Sequence, residues 1–376
     1  MKEKLFVGRP NLGNRKSFLR RVNDILDRRW LSNDGPMVKE FEQRVADLLG
    51  VRHVVAICNA TAAIEIACHA LGFKGEVILP SYTFIATAHA LQWQGIKPVF
   101  CDLDPKTHNI DPDKIESLIS PRTTGIIGVH VWGRGCETEL IGDIAARRGL
   151  RVMYDASHAF GCSIGGQNIG TFGECEVFSF HATKFINCFE GGAITTNHDG
   201  LAEKMRLMRN FGFVDYDKVI YLGINGKMNE VCAAMGLTNL EAMDKIVAAN
   251  RKNYLAYREA LRTLPGISLI PYNQKEKNNY QYVVLEVDPQ QCPCSRDELV
   301  EALHREKVIA RKYFWPGCHR MEPYRTTQPR ADKNLPETER IAARVIVLPT
   351  GQTVSRHGIR VIAKILKKII NKKSKF

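Results

Sequence analysis

Apolar residues near the start of the chain recur at the spacing of an amphipathic helix. Between residues 36 and 50 the apolar positions are Val38, Phe41, Val45, Leu48 and Leu49. Pro36 near the start of this segment and Gly50 just past its end are typical of helix termini. The pattern therefore predicts one helix here and a shorter one over residues 18–28.

From residue 53 onward, short apolar runs rich in β-branched residues alternate with helical stretches. Strands are predicted over residues 53–58, 76–79, 98–102, 125–130, 151–155, 176–180 and 192–197, and helices over 61–71, 84–94, 111–119 and 137–148. Strands buried on both faces are continuously apolar, and parallel neighbours need crossover helices. We therefore expect an α/β fold with a mostly parallel, doubly wound seven-stranded sheet and helices on both faces. Too few residues separate Phe180 from Gly192 for a crossover helix, so one strand should be antiparallel.

The pattern changes in the last third of the chain. Residues 229–264 are helical in pattern almost throughout, and Pro265-Gly266 ends the segment. Because a helix of that length can connect two domains, we expect a large domain over residues 1–250, including an N-terminal arm, and a smaller α+β domain over 251–376. In the smaller domain, strands are predicted over 280–287 and 345–348, and helices over 295–306, 337–344 and the C-terminal end.

The last predicted helix has one apolar face and one basic face. The apolar positions are Ile359, Ile362, Leu366, Ile369 and Ile370, and the lysines are Lys364, Lys367, Lys368 and Lys372. A basic helix lying on a membrane surface is one interpretation of this pattern. An apolar stripe of this width is more typical of a helix that packs on its own domain, which is the interpretation we adopt.

Length and composition indicate a globular protein and limit its expected partners. A chain of 376 residues, 44% hydrophobic and 25% charged, is an ordinary globular protein larger than one hydrophobic core usually grows. The 53 Lys+Arg against 40 Asp+Glu give a net charge of +13, which favours anionic partners such as phosphorylated ligands or is only a solvated basic surface. No motif typical of nucleic-acid binding accompanies that charge.

The cysteines and the N-terminal residues indicate the cellular compartment in which the protein is expected. The eleven cysteines are scattered, several within apolar runs, as is typical of reduced thiols in a reducing compartment. No four-ligand metal spacing occurs, so no metal site is expected. The segment Met1 to Phe6 lacks the apolar core of a secretion signal, and no run approaches membrane-spanning length. A cytoplasmic protein without a membrane partner is expected.

One lysine, Lys184, lies in a part of the sequence that is predicted to be buried. Lys184 lies between an apolar run that ends at Ser179-Phe180 and the pair Gly191-Gly192, which opens another apolar run. Burial disfavours the charged ammonium and lowers its pKa, and the neutral amine is the nucleophile that condenses with carbonyl groups. Schiff-base chemistry at Lys184 is the first hypothesis.

A Schiff-base lysine raises the question of a pyridoxal phosphate (PLP) site, which needs a phosphate cradle, an acid facing the pyridine nitrogen and a flat surface against the ring. The cradle candidate is Asn59-Ala60-Thr61-Ala62-Ala63, which follows the first strand of the alternating pattern and opens a helix. A plain helix N-cap is the alternative. Ser179, at the end of another strand, can add a second hydroxyl.

The acid and the flat surface also have candidates at strand ends. Asp155 ends an apolar strand, and ligands of open parallel sheets bind outside those carboxyl ends. A structural cap on the next turn is the alternative for Asp155. His158 either orients Asp155 or is an ordinary polar neighbour. Phe84, just after the second of these strands, either stacks on the ring or belongs to the core.

These residues, in this order, resemble the DegT/DnrJ/EryC/StrS family of sugar aminotransferases. The similar stretches are residues 59–63, 80–84, 154–158, 179–184, 190–192 and 223–228, with Tyr313-Phe314, His319 and Tyr324 in the small domain. The resemblance covers nearly the whole chain. It implies the aspartate-aminotransferase fold, fold type I of the PLP-dependent transferases.

The resemblance also implies roles for single residues. Lys184 corresponds to the lysine that binds PLP and moves protons, Asp155 to the partner of the pyridine nitrogen and Phe84 to the stacking aromatic. Other positions implied to contact the cofactor are Ala60, Thr61, His158, Ser179 and Asn225, the last reaching the site of the other subunit of a homodimer. Implied substrate contacts are Glu190, Lys227, Tyr313 and His319. Phe189 and Lys227 depart from the common family residues, glycine and arginine.

The implied reaction is transfer of an amino group from L-glutamate to a keto sugar linked to a nucleoside diphosphate. The run Glu190-Gly191-Gly192 and residues 311–314 most resemble members acting on dTDP-4-keto-6-deoxy sugars, and the glycine pair is interpreted as a backbone approach to the sugar. A 3-keto sugar aminotransferase is an alternative, as is a non-catalytic PLP-binding or regulatory protein. Dehydratases of the family carry histidine in place of the lysine, and Lys184 argues against that activity.

Overall fold

The computed structural model of the chain describes residues 3–373. Its helices are α1 Arg15–Arg28, α2 Pro36–Leu49, α3 Ala60–Ala70, α4 Ile85–Trp93, α5 Pro112–Ile115, α6 Thr138–Arg148, α7 Asp199–Met208, α8 Glu230–Leu240, α9 Met243–Leu261, α10 Arg296–Arg305, α11 Tyr324–Thr327, α12 Pro336–Arg344 and α13 Arg356–Lys373. Met1 and Lys2, the first residues of the segment that argues against a secretion signal, lie outside the described residues.

The strands include all seven that the alternating pattern predicts. They are β1 Leu5–Phe6, β2 His53–Ile57, β3 Glu76–Pro80, β4 Lys97–Cys101, β5 Thr123–Val129, β6 Arg151–Asp155, β7 Ser163–Ile164, β8 Gln167–Asn168, β9 Cys175–Ser179, β10 Gly192–Thr196, β11 Phe213–Asp215, β12 Lys218–Val219, β13 Ile267–Leu269, β14 Val283–Val287, β15 Val308–Ile309 and β16 Val345–Leu348.

The large sheet has seven strands in the order β2-β10-β9-β6-β5-β3-β4. The pairs β9-β6, β6-β5, β5-β3 and β3-β4 are parallel. Strand β10 is antiparallel to both of its neighbours, β2 and β9, as the short connection after Phe180 predicts. The expected α/β fold with one antiparallel strand is therefore confirmed.

Helices cover both faces of this sheet because successive strand residues point to opposite sides. On one face, Val55, Ile57 and Val177 pack in a cluster with residues of α3, α4 and α7. On the other, Val54 and Phe178 pack with α2 and α8, and a neighbouring cluster joins β5 and β6 to α6. Burial on both faces explains why the strands lack polar alternation.

A second, antiparallel sheet lies in the last third of the chain, in the order β13-β14-β16. It shares a core with α9, α10 and α13. In α13, Ile359, Ile362, Leu366 and Ile370 are buried, whereas the lysines are exposed. The expectation that the last helix packs on its own chain is confirmed.

Several boundaries differ from the sequence-based expectations. The segment 229–264 is two helices, α8 and α9, because the helix is interrupted at Glu241 and Ala242. The domain boundary near residue 250 falls within α9 and stays a prediction. The predicted helix 111–119 is one α-helical turn followed by a 3-10 turn. The helix α7 was not predicted, nor were the short pairs β1-β15, β7-β8 and β11-β12.

An N-terminal arm precedes α1 and contacts distant parts of the chain. Leu5 and Phe6 pair in parallel with Val308 and Ile309. Farther along, the Gly13 N–H donates to the side chain of Asn239 in α8 at 2.7 Å. The arm therefore connects β15, which contributes Val308 to the core of the second sheet, with the helices that cover the first sheet.

The start of α2 provides a test of this packing. The carboxylate of Glu230, 1% exposed, accepts hydrogen bonds from the N–H groups of Met37 and Val38, each at 2.9 Å. These N–H groups have no partner within the helix, and the positive end of the helix dipole faces the carboxylate.

We expect Glu230→Ala to cost about 2–3 kcal/mol, a fall in Tm of roughly 5 °C, because two buried donors lose their acceptor. Thermal unfolding followed by circular dichroism measures the change. Glu230→Gln keeps one acceptor oxygen and should lose less. An alanine variant as stable as the wild type would contradict this role.

Candidate active site

The carboxyl ends of the parallel strands and the start of β10 meet at one edge of the large sheet. Asp155 ends β6, Ser179 ends β9, and residues 81–84 follow β3. The loop that carries Lys184 leaves β9 and returns through Gly192 to β10. Four of the residues singled out in the sequence therefore lie at this edge, where open α/β sheets bind ligands.

The lysine loop is held by hydrogen bonds on both sides of Lys184. The Lys184 N–H donates to His181 O at 2.8 Å, and the Cys188 N–H donates to Phe180 O at 2.8 Å. The N-terminal arm also holds the loop, since the Asn187 side chain donates to Asn11 O at 2.9 Å. The loop backbone therefore fixes where the lysine side chain begins.

The arm lies close against this loop at a glycine. Gly8 has φ +74°, and a Cβ built on it would be 2.9 Å from the Cβ of Thr183. A side chain at this position would strain the backbone and displace the loop residue that precedes Lys184. The sequence pattern predicts an arm, but no local signal connects the arm with the lysine.

The environment of Lys184 favours a neutral amine. Burial lowers the pKa of Lys184 to about 8, although the negative charge of Asp155 acts in the opposite direction. Among the residues that the structure describes, no hydrogen bond or ion pair holds the Nζ atom. Roughly a tenth of the amine is therefore unprotonated and nucleophilic at pH 7, and about half of it at pH 8.

Asp155 is buried, with 5% exposure, and each carboxylate oxygen accepts a hydrogen bond. The Thr87 hydroxyl donates to Oδ2 at 2.8 Å, and the Ser157 N–H donates to Oδ1 at 3.0 Å. Donors to both oxygens fix the orientation of the carboxylate. Thr87, itself buried, was missed, although a hydroxyl in the first turn of the helix after β3 must lie at this sheet edge.

His158 does not hydrogen-bond to Asp155 among the bonds the structure describes. Its Nδ1 accepts from the Trp132 N–H at 3.3 Å, and its ring stacks on Phe314 at a centroid distance of 5.3 Å. Burial, together with the nearby charge of Lys184, holds the pKa of His158 well below its usual range. His158 is therefore a neutral aromatic neighbour of the site, and Thr87, rather than His158, orients Asp155.

The start of α3 is the predicted phosphate cradle. The Asn59 side chain caps the helix by accepting from the Ala62 N–H at 2.9 Å, while Ala60 and Thr61 remain partly exposed. A Cβ on Gly192 would lie 2.7 Å from the Ala60 N atom, so this glycine is needed for close packing against the helix start. The structure thus gives Gly192 a packing role, where the sequence suggested an approach to a sugar.

Phe84 is the N-cap residue of α4, and 56% of it is exposed, so it is not part of the core. It lines a cavity whose opposite wall is formed by residues 311–315. An exposed aromatic at the carboxyl edge of β3 has the free face that stacking requires.

Three predicted contact residues lie in outer, exposed segments. Glu190 is exposed, and its carboxylate is 3.5 Å from the His181 ring. Asn225 is exposed and pairs through its backbone with Asn210, whose side chain accepts a hydrogen bond from the Lys227 ammonium at 2.8 Å. Within residues 3–373, none of these three side chains is hydrogen-bonded or ion-paired to Lys184, and their ligand contacts stay predictions.

Tyr313 and His319 differ in what they offer a ligand. Tyr313 is partly exposed and lines the cavity beside Phe84. His319 is 2% exposed, with Nδ1 bound to the Ser81 hydroxyl at 2.7 Å and Nε2 to the Glu339 carboxylate at 2.6 Å. Because both ring nitrogens are engaged, the substrate contact predicted for His319 is corrected to a structural link between residue 81 and α12. Tyr324, which carried part of the resemblance, is also buried.

Two further findings concern residues 3–373. No helix in this range is both long and apolar enough to cross a membrane. Within the same range, no group of three or more His, Cys, Asp or Glu side chains is placed to hold a metal ion.

Asp155→Asn tests the electrostatic coupling at the site, because it keeps the side-chain shape and removes the charge. Since that charge favours the ammonium form, we expect the pKa of Lys184 to fall below about 8. The rate of Lys184 acylation against pH, read by peptide mass spectrometry, measures the pKa. Asp199→Asn, at an exposed carboxylate of α7, is the matched control and should leave the profile unchanged. An unchanged or raised pKa in Asp155→Asn would contradict the coupling.

Comparison with known proteins agrees with this geometry. The chain is 39% identical over 370 residues to a dTDP-4-amino-4,6-dideoxy-D-glucose transaminase of Shigella dysenteriae, covering 98% of this chain and 100% of that protein. It is 36% identical to an Escherichia coli protein of the same name, covering 96% and 97%. A structure of DesI in the presence of its TDP-sugar product matches with a TM-score of 0.95 at 48% identity, covering 99% of this chain and 94% of that one. The sequence profile of the DegT/DnrJ/EryC1/StrS aminotransferase family matches residues 13–367, and the chain belongs to that family.

Proposed function

We propose that this aminotransferase binds PLP and moves an amino group from L-glutamate to a nucleotide-linked keto sugar. The proposed acceptor is dTDP-4-keto-6-deoxyglucose, and the product is dTDP-4-amino-4,6-dideoxyglucose. The observation that carries the proposal is that Lys184, an amine whose pKa is lowered by burial, lies within the electrostatic influence of Asp155, a buried and hydrogen-bonded carboxylate.

The donor set at the sheet edge fits PLP. Backbone N–H groups at the start of α3 and the hydroxyls of Thr61 and Ser179 suit a phosphate. Asp155 suits a protonated pyridine nitrogen, and Phe84 suits the face of an aromatic ring. When bound, PLP supplies an electron sink for the carbanion that forms when a substrate C–H bond breaks.

The protein's own part in the reaction is to hold the reactants and move a proton. With a pKa of about 8, the Lys184 Nζ can accept and return a proton near neutral pH at little cost. The Thr87 and Ser157 donors hold the Asp155 carboxylate in one orientation. The neighbouring ring of His158 is kept neutral by burial and adds no competing positive charge.

Three observations support the nucleotide-sugar acceptor. Two relatives over 35% identical are named dTDP-4-amino-4,6-dideoxy-D-glucose transaminases. DesI, at 48% identity, was solved with a TDP-sugar product. The net charge of +13 suits a diphosphate-bearing substrate. A 3-keto sugar is the remaining alternative for the position of amination.

We also propose a homodimer in which a second copy covers an exposed apolar segment, residues 211–224. Tyr216 is 94% exposed and Leu222 is 75% exposed, and both lie on or next to the hairpin β11-β12. The other exposed apolar residues of the segment are Phe211, Phe213, Val214, Val219, Ile220 and Ile224. A patch of this size is typical of an interface. Asn225 follows it directly and would reach the partner's site.

The reaction is proposed to take place in the cytoplasm. All eleven cysteines are free thiols, most of them buried. Reduced, buried thiols are typical of a reducing compartment.

The amino-donor half of the reaction gives the first test. We expect L-glutamate to change the absorption spectrum of the PLP-loaded protein, because the amino group moves to the cofactor. Lys184→Ala should abolish the change and lower turnover by at least about a thousandfold, since the proton carrier is lost. The exposed Lys74→Ala is the matched control. A wild type that is unresponsive to glutamate, or a Lys184→Ala variant with near-normal turnover, would overturn the proposal.

The acceptor is tested with a panel of dTDP- and UDP-linked 3-keto and 4-keto sugars. Mass spectrometry and NMR of the products identify the position of the new amine. We expect 4-amination of the dTDP-4-keto-6-deoxy sugar. Amination at position 3 would contradict the proposed 4-keto substrate, but the protein would still be a sugar aminotransferase.

Thr87→Val tests the support of Asp155. The valine is similar in shape but cannot donate, so the carboxylate keeps only the Ser157 N–H. We expect PLP to bind roughly tenfold more weakly, as absorption titration of the PLP-free protein measures, because a hydrogen bond to a charged group is lost. Thr87→Ser should restore the affinity. Equal affinity in the valine variant would show that Thr87 does not support Asp155.

A further inference from the structure

A cavity of about 700 Å³ lies between α9 and residues 351–356, the segment that leads into α13. Pockets that bind small molecules typically have volumes of roughly 300–1,000 Å³, so this one is large enough for such a ligand. None of the residues assigned a role at the edge of the large sheet lines it. The reaction at Lys184 therefore does not explain this cavity.

The charge around the cavity is mainly positive. The basic side chains that line it and an adjoining cavity of about 350 Å³ are Arg251, Lys252, Arg262, Arg356 and Arg360. The carboxylate of Glu259, which also lines both, lies 3.6 Å from Arg356. Arg251 and Lys252 are exposed, and within residues 3–373 neither has an ion-pair partner. These two cations are therefore free to meet an anionic ligand.

Much of the remaining lining is apolar. Aliphatic side chains of α9 and of the segment before α13 form this part of the surface: Ala248, Ala249, Leu255, Ala256 and Val354. An anion with an apolar body can bury that body here while its charge meets the cations. An inorganic anion has no such body and can use the cations alone. The cavity therefore favours an organic anion.

One wall of the cavity is bonded to the N-terminal arm. The Asn253 side chain, 7% exposed, donates to Gly351 O at 3.0 Å. The Gln352 N–H donates to the Asn11 side chain at 2.9 Å, and the Gln352 side chain accepts from the Leu12 N–H at 3.0 Å. Gly351 has φ +109°, and a Cβ there would lie 3.0 Å from Asn11 Oδ1, so the glycine permits this close approach.

The same part of the arm holds the loop that carries Lys184. Asn11 Nδ2 donates to Phe185 O at 3.4 Å, and Asn11 O accepts from the Asn187 side chain at 2.9 Å. Asn11 therefore bridges the cavity wall and the residues that follow the lysine. A ligand that holds the walls of the cavity together also restrains the arm, and through it the loop.

We propose that this cavity is an effector site for a small organic phosphate, and that its occupancy restrains the lysine loop through the N-terminal arm. Arg251 and Lys252 bind the phosphate, and the aliphatic side chains contact the organic part. The concave shape favours a small molecule over a macromolecular partner. The site shares no residue with the proposed cofactor and substrate contacts, so the inference is independent of the proposed function.

Binding of phenyl phosphate to the PLP-loaded protein, measured by calorimetry, tests the site. We expect Arg251→Gln and Lys252→Gln each to weaken binding roughly fivefold, because a charged contact at an exposed position is lost. Inorganic phosphate should bind more weakly than phenyl phosphate, since it lacks the apolar body. Arg258→Gln, at an exposed residue of α9 outside both cavities, is the matched control and should bind as the wild type does.

Hydrogen–deuterium exchange tests the connection to the lysine loop. Phenyl phosphate should slow the exchange of residues 181–189 in the wild type at least about threefold, because the loop is restrained. Asn11→Ala removes the side-chain bonds to Gln352 and Phe185 and leaves the cavity lining intact. This variant should bind phenyl phosphate normally, but its loop exchange should not respond to the ligand.

Wild-type affinity for phenyl phosphate in both Arg251→Gln and Lys252→Gln would overturn the site. Equal affinity for inorganic and phenyl phosphate would also overturn it, because the cavity would then be only a basic surface. Loop exchange that is unchanged by bound phenyl phosphate, or that still slows in Asn11→Ala, would overturn the connection through the arm. The response to L-glutamate is measured separately, and its failure would reject the proposed function without bearing on this site.

Discussion

The burial of the Lys184 amine beside the Asp155 carboxylate is the interaction on which the rest of the site depends. Burial alone would lower the pKa of Lys184 further and make the amine a weaker base. The charge of the Asp155 carboxylate opposes this effect, and the resulting pKa is about 8. The opposing effects leave an amine that exchanges protons near neutral pH. This balance requires that both side chains be fixed, because the pKa of Lys184 would vary with the position of a mobile carboxylate.

The fold fixes them by different means. Asp155 ends a strand in the middle of the sheet and is held by Thr87 from the neighbouring helix, so its position follows from strand packing. Lys184 lies on a loop, which strand packing cannot hold. The N-terminal arm compensates, passing over the loop at Gly8 and accepting a hydrogen bond from Asn187 through Asn11. Residues almost at the start of the chain therefore help to place the reactive amine.

Much of this could be predicted because the signals were local. The seven strands, their helices, the antiparallel β10 and the acid at the end of β6 follow from apolar runs and spacing. What was missed depends on contacts between distant residues. Thr87 bonds to Asp155 across 68 positions, and His319 is engaged by Ser81 across 238. An isolated histidine does not reveal whether its ring nitrogens are already occupied.

The central claim is that the fold lowers the pKa of one lysine. NMR titration of the PLP-free protein with 13C-labelled lysine side chains, assigned by comparison with Lys184→Ala, measures that pKa directly. The account expects a single resonance titrating near pH 8, well below the other lysines. A Lys184 resonance that titrates at the ordinary value of about 10.4 would contradict it.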